Sequence, residues 1–314
     1  MEDRTKVSVE GGVTLSKGSN CRSSTEVGGG HLLKKNVGVK IGQGQHFKRV
    51  HVYEMRSYDI REYKDFDCAI KEELNTHGFV KISSFLDKAK VTSARLKVLE
   101  YLHGKGMLAN KNSRRMSDAN LGQGILLTGY KELCDSDIFC ELFDSKRLKN
   151  ILGEIGFNSS SITSIGDKGI RVIGKNEQTS IHADGYRYNI FSPYTMYNVW
   201  IPLNDIESLD QGPLMLCDKS HLYGQNRGME NSRLELPHEY VDKMVVEGSK
   251  KGSEGEKNVE TWYSSSNITV GDIIVFDGLT IHGSCANLSK EFRLSCDYRY
   301  VSKEFYDKRI RHDM

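Results

Sequence analysis

The second half of the chain breaks into short β-forming runs, and this feature most constrains the fold. From about residue 168 come "GIRVIG", "TMYNVWIPL", "PLMLCD", "SNITVGDIIVFDG" and "RLSCDYRYV", rich in Val, Ile, Tyr and Trp and separated by turn residues. Many short strands in succession must bury their faces against one another, as a sandwich or jelly roll does. The preceding segment has a different period. A polar helical pattern over residues 60–77 stops at Gly78, and "FVKIS" then alternates as a half-buried strand. Asp87 stands where an N-cap would open a second helix, "KAKVTSARLKVLEYLHG", with Val91, Ala94, Val98, Leu99 and Leu102 on one face. A third helical pattern spans 137–156 and ends at Gly156. Helices first and strands afterwards predict an α+β, mainly β protein: a jelly-roll core with helices packed outside.

The expected organisation is one domain over 51–314, with helical support at 60–156 and the β core at 165–302. Residues 1–50 hold nine glycines and nine Lys/Arg against four Asp/Glu, with no sustained apolar period, and are expected to form a mobile arm. Residues 224–261 include "EGSKKGSEGEKNVE", too polar for a core, and read as a lid or loop insertion. A net charge of +2 gives no reason to expect nucleic acid or a membrane surface as partner. No apolar run approaches a membrane span, and the start "MEDRTKVSVEGG" lacks the apolar stretch of a secretory signal. Seven scattered cysteines without a CxxC fit reduced thiols. A cytoplasmic monomer is expected.

Within the β region, "SIHADGYRY" sets His182 and Asp184 two residues apart, a spacing that puts both on one face of a strand. His282 follows the run "DIIVF" and is the third candidate ligand. Two histidines and one carboxylate without a nearby cysteine form a facial triad, suited to Fe(II) with three positions left open. Arg293, 11 residues after His282 on the next strand, could clamp a dicarboxylate by its distal end.

These segments resemble the phytanoyl-CoA dioxygenase-like branch of the Fe(II)/2-oxoglutarate oxygenases over about residues 70–300. "GFVKISSFLD" looks like that family's opening strand and turn, and "SIHADG" its His-x-Asp segment. "QGPLMLCDKSH" is similar to its "NGCL…PGSH" stretch, and "HGSCANLSKEFRLS" to the region around the distal His. The resemblance implies a double-stranded β-helix of the cupin-like kind, with Fe(II) and O₂ as cofactors and 2-oxoglutarate as cosubstrate. It puts His182, Asp184 and His282 on the metal and Arg293 and Ser284 on the distal carboxylate. Trp200, 16 residues after Asp184, would line the cosubstrate pocket, and Arg171 falls where a carboxylate contact is plausible. Two departures, Ala183 in place of the usual Gln and "CDKSH" in place of "PGSH", bear on substrate contacts and leave the metal set intact.

The expected function is oxidation of a small metabolite by hydroxylation, desaturation or oxidative ring closure, with release of succinate and CO₂, within general or specialised metabolism. An intact Asp184 disfavours halogenation, because halogenating relatives replace that carboxylate by a small residue. Arg171 and Arg187 would be costly if buried unpaired, so at least one is expected to meet a carboxylate on the substrate, with Tyr186 closing over it. The rival readings are a non-catalytic jelly-roll binding protein and a zinc hydrolase using the same three ligands. Arg293 weighs against both, since neither needs a dicarboxylate clamp.

Overall fold

The computed structural model describes residues 35–41, 46–59, 66–121, 126–129, 131–143, 145–153, 157, 162–188, 190, 194–222 and 261–310. All of them belong to the compact unit Leu32–Met314. Its strands are β1 (Lys35–Ile41), β2 (His46–Glu54), β3 (Ser57–Asp59), β4 (Phe79–Ser83), β5 (Leu126–Gly129), β6 (Ile162–Ile173), β7 (Met196–Pro202), β8 (Leu214–Cys217), β9 (Thr261–Ser264), β10 (Ile273–Asp277), β11 (His282–Ser284) and β12 (Arg293–Ser302). They form a five-stranded sheet, β1-β2-β9-β8-β11, and a seven-stranded sheet, β3-β4-β10-β7-β12-β6-β5. Most pairings are antiparallel; β2–β9 and β3–β4 are parallel. The arrangement is the expected jelly roll with helices outside.

Two apolar layers follow from the alternation of side chains along each strand. Trp200, Ile274 and Phe276 of the large sheet meet Leu214 and Leu216 of the small one in the core between the sheets. Val199, Ile201, Leu294, Cys296 and Tyr298 point the other way and pack with the helices. Those helices are α1 (Phe66–His77), α2 (Lys88–Gly104), α3 (Lys131–Cys134), α4 (Asp137–Phe143) and α5 (Lys146–Leu152). Asp87 caps α2 by accepting from the Ala89 amide at 2.8 Å, and the five residues expected on its inner face are the five that are buried.

Gly78 ends α1 at φ +85. A Cβ there would lie 2.4 Å from the His221 ring, so the left-handed turn and the missing side chain are both required. His221 is thereby buried beneath this turn with its Nε2 3.2 Å from the Asn75 carbonyl.

Three expectations need correction. The arm does not extend to residue 50: residues 35–41 and 46–54 pair with each other, and β2 pairs with β9. The polar, Gly-rich composition of this stretch hid a pair of neighbouring strands, the second of which also meets a partner more than two hundred residues away. Among the described residues the pattern over 137–156 is broken into α4 and α5, because the Ser145 hydroxyl accepts from the Leu148 amide and starts a new helix, while the end expected at Gly156 lies outside the described residues. Cys68 is disulfide-bonded, while Cys134, Cys140, Cys217, Cys285 and Cys296 are free; scattered spacing carries no pairing signal. Residues 1–34 and 223–260, hence the rest of the arm and all but the last residue of the expected lid, lie outside the described residues. Thr261, the last residue assigned to that lid, opens β9. No helix among the described residues is long and apolar enough to cross a membrane.

Candidate metal and cosubstrate site

His182 and His282 are locked together through their backbones. Each donates its amide to the other's carbonyl at 2.8 Å, forming an isolated antiparallel bridge. The rings stand 4.2 Å apart between centroids. His182 Nδ1 lies 2.7 Å from the Ser180 carbonyl and His282 Nδ1 3.0 Å from that of Thr280. An Nδ1–H donated to each carbonyl leaves both Nε2 lone pairs free for a metal. Ser220 adds to this frame: its hydroxyl donates to the Cys217 carbonyl and accepts from the amide of Ile281, the residue before His282.

Asp184 reaches the histidines by a different route from the one its spacing predicts. It does not continue a strand; it opens a single helical turn, α6 (Asp184–Arg187), tied down by a 2.7 Å bond from the Gly185 amide to the Gly278 carbonyl. Its Oδ1 is 3.6 Å from His182 Nε2 and its Oδ2 4.0 Å from His282 Nε2. One ligand atom from each of the three lies within 4.8 Å of the others, so a single ion can touch all three.

The three side chains are in the ionisation states that metal ligation needs. Burial pushes the His282 imidazole down to about 3, with the His182 ring adding to the effect, and burial also lowers His182. Both rings are therefore neutral ligands at neutral pH. Asp184 is held well below the usual carboxylate range: burial opposes this, but the Arg299 guanidinium and the two histidines outweigh it.

Arg293 stands on β12 with its side chain 2% exposed. Its Nε donates to the Gly212 carbonyl at 3.1 Å, its Nη1 to the Ser295 hydroxyl, and its guanidinium lies 5.7 Å from the Trp200 ring centroid. Among the described residues it has no carboxylate partner. Burial, with Arg171 adding repulsion, lowers it to about 9. Ser284 accepts from the Thr179 amide at 2.8 Å through its hydroxyl, which keeps its own proton to donate.

Arg171 is differently placed. It donates Nε to Asp297 Oδ1 at 2.7 Å and Nη2 to Oδ2 at 3.0 Å, a two-point pair that satisfies it within the protein. The expectation that an unpaired Arg171 requires a substrate anion is corrected accordingly. The side chains of Tyr186 and Arg187 lie outside the described residues.

Two participants went unnoticed in the sequence. Asp297 and Arg299 follow Arg293 on β12 at even spacing, so all three side chains share the inner face. Arg299 donates Nε to Asp184 Oδ2 at 2.9 Å, and its Nη2 is 3.1 Å from Asp297 Oδ2. The "D-x-R" spacing in "CDYRY" was the available signal. Asn198, two residues before Trp200 on β7, shares this inner face and is opposite Arg299; its amide nitrogen and oxygen are both buried without a partner.

Residues 74–295 match the phytanoyl-CoA dioxygenase (PhyH) family. The chain belongs to that family. No curated protein sequence matches it. Solved structures of similar fold include the epimerase SnoN in complex with Fe³⁺, alpha ketoglutarate and nogalamycin RO, at 17% identity and a TM-score of 0.52, covering 75% of this chain and 83% of that one. The carbocyclase SnoK from nogalamycin biosynthesis matches at 16% identity and a TM-score of 0.52, covering 77% and 85%. EctD from S. alaskensis with 2-oxoglutarate and 5-hydroxyectoine matches at 12% identity and a TM-score of 0.52, covering 77% and 79%. At these identities the likeness establishes the fold. As a member of the phytanoyl-CoA dioxygenase family the protein is an Fe(II)- and 2-oxoglutarate-dependent dioxygenase, an oxidoreductase using O₂. The donor set fits those cofactors: two neutral imidazoles with a carboxylate suit Fe(II), and a buried guanidinium without an acidic partner among the described residues suits a dicarboxylate.

Proposed function

We propose that His182, Asp184 and His282 hold the iron and that Arg293, with Ser284 and Trp200, holds the distal carboxylate of 2-oxoglutarate. On this reading the enzyme oxidises a small metabolite by hydroxylation, desaturation or oxidative ring closure. Two observations carry it: three ligand atoms within 4.8 Å of one another, and a buried Arg293 with no acidic partner among the described residues. A charge of that kind is expensive to bury alone, and a two-point pair with a carboxylate offsets the expense.

Each residue then has a defined task. The carbonyls of Ser180 and Thr280 fix the ring orientation of the two histidines, so both nitrogens are aimed before metal arrives. Trp200 stacks near the Arg293 guanidinium and walls the cosubstrate end against water. Phe276, 4.7 Å from the His282 ring, supplies apolar surface beside the ligand. When bound, iron and 2-oxoglutarate supply the oxidising chemistry, with succinate and CO₂ as coproducts.

The substrate is a small molecule. Arg171, already satisfied by Asp297, supplies no argument for an anionic group on it, and that part of the reading rests on Arg187 alone. The fold does not select among outcomes, since structures of this fold include an epimerase and a carbocyclase. The deciding experiment is a metabolite screen scored by succinate release from purified protein with Fe(II), 2-oxoglutarate and O₂. A visible charge-transfer band from the anaerobic protein with Fe(II) and 2-oxoglutarate supports the site assignment. No band, together with unchanged succinate release in His282→Ala, rules it out.

A further inference from the structure

We infer that Arg299 is a positioning residue for the metal carboxylate. It binds Asp184 Oδ2 so that Oδ1 alone is presented to the ion, and it is itself held by Asp297 and Arg171. The inference rests on the site reading above and adds a device to it.

The geometry runs as an unbroken chain of alternating charge. Arg171 grips Asp297 at two points, 2.7 and 3.0 Å; Arg299 Nη2 reaches the same carboxylate at 3.1 Å; and Arg299 Nε reaches Asp184 Oδ2 at 2.9 Å. All four side chains lie at the site end of the sandwich. Arg299 is 5% exposed, Asp297 6% and Asp184 3%. The Tyr188 ring, 5.5 Å from the Arg299 carbon, covers the remaining side of the guanidinium.

The backbone is built around this chain. Asp297 faces Gly169 across β6, and a Cβ at Gly169 would come within 2.8 Å of Asp297 Oδ1, so glycine makes the room the carboxylate occupies. Between Asp297 and Arg299 the pairing register shifts, from Gly169 to Ile165, so β6 is bulged beside the pair. Along β7 the same two residues stay in continuous register with Trp200 and Asn198. The bulge therefore adjusts β6 while Asp297 and Arg299 keep their alternation and point inward.

The consequence is a division of labour between the two oxygens of Asp184. A carboxylate free to rotate can take a metal with one oxygen or two, and the second mode uses up a coordination position. With Oδ2 accepting from a guanidinium whose own charge is balanced by Asp297, Oδ1 would be the oxygen offered to the ion, and a one-oxygen contact would leave three positions open. Asp297 keeps the arginine from being an uncompensated charge next to a dication. Arg171 does the same for Asp297, and this accounts for an arginine that the sequence offered to a substrate.

The test measures Co(II) binding to the full-length protein without 2-oxoglutarate, by competition with a chelating dye, alongside thermal unfolding of the metal-free protein. Asp184→Ala is the control: if it binds Co(II) as wild type does, the site assignment itself fails, whatever Arg299 does. With that control weakened, Arg299→Gln is expected to bind roughly 10- to 100-fold more weakly than wild type while unfolding cooperatively. A folded Arg299→Gln protein whose affinity lies within about twofold of wild type overturns the proposal, since a residue that only packs the fold would not move metal affinity. If Arg299→Gln does not fold, Asp297→Asn carries the test, because it leaves the Arg299–Asp184 contact and removes its counter-charge. A loss of roughly threefold or more is then expected, and wild-type affinity overturns the proposal.

Discussion

The two faces of β12 differ more sharply than any two elements of the protein. Leu294, Cys296, Tyr298 and Tyr300 face the helices and belong to the large apolar core. Arg293, Ser295, Asp297 and Arg299 alternate with them and face the metal site, and all but Ser295 carry charge at 2–6% exposure. One strand thus carries a face whose burial stabilises the fold and a face whose burial opposes it. The inner face is tolerable because its charges are paired; among the described residues Arg293 is the exception, and on the proposed reading a ligand carboxylate is its partner. Stability and function are separated by the two-residue period of a strand, so substitutions one position apart should fail in different ways.

The largest effect is expected at the ligands. His182→Ala, Asp184→Ala and His282→Ala should each drop succinate formation to background, while circular dichroism still reports a folded β protein. Retained turnover with iron bound in any of the three would dissolve the distinction between the faces.

Next comes Arg293→Ala, which should raise the 2-oxoglutarate KM by roughly 30-fold or more, corresponding to the 2–5 kcal/mol lost with a buried charge pair. The metal-free variant should melt no lower than wild type, because it loses a buried cation that has no acidic partner among the described residues. Arg293→Lys should restore only part of the affinity, since the two-point fork is gone. An unchanged KM in Arg293→Ala would remove the cosubstrate assignment.

The outer neighbour should behave oppositely. Leu294→Ala opens a cavity beneath the helices and should cost about 2–5 kcal/mol of stability, read by urea unfolding. Its KM for 2-oxoglutarate at low temperature should stay at the wild-type value. A changed KM with little loss of stability would mean that the two faces are not independent.

The smallest effect concerns a carboxylate without an arginine. Burial pushes Asp277, at the end of β10, up to about 6, although the Leu279 amide donates to it at 2.7 Å. Asp297 goes the other way: burial opposes ionisation, but Arg171 and Arg299 together hold it low. A raised folded pKa gives stability that is fully present below the unfolded value near 4 and is lost as pH rises to about 6. Asp277→Asn should therefore gain stability over wild type across that window, reaching on the order of 2 kcal/mol above pH 7. Equal unfolding free energies at pH 5 and pH 7.5 would show that the carboxylate reaches water.

Much of the site was legible in the order of residues. The sequence picked out His182, Asp184 and His282, which the structure brings together, and Arg293, which it buries; Gly78, Asp87 and the buried stripe of α2 carry local signals that need no partner to be read. Other features were illegible for physical reasons. β2 joins the sheet through β9, and hydrogen bonds to a strand so distant in sequence leave no local signal of where β2 docks. Asp184 was placed on the right face for the wrong reason, since a helical turn rather than a strand brings it to the histidines.

The sequence by itself determined the residue types at the centre and the alternation that puts Arg293, Asp297 and Arg299 on one side of a strand, because both are set by covalent order and backbone geometry. Only the tertiary structure decided which charge meets which. Arg171 is satisfied by Asp297 across a strand pair, Arg299 meets Asp184 and Asp297, and Arg293 is without a carboxylate partner among the described residues. That choice depends on distances of about 3 Å between side chains more than a hundred residues apart, and Coulomb energy at low dielectric falls steeply enough with distance that position, not identity, assigns the partner.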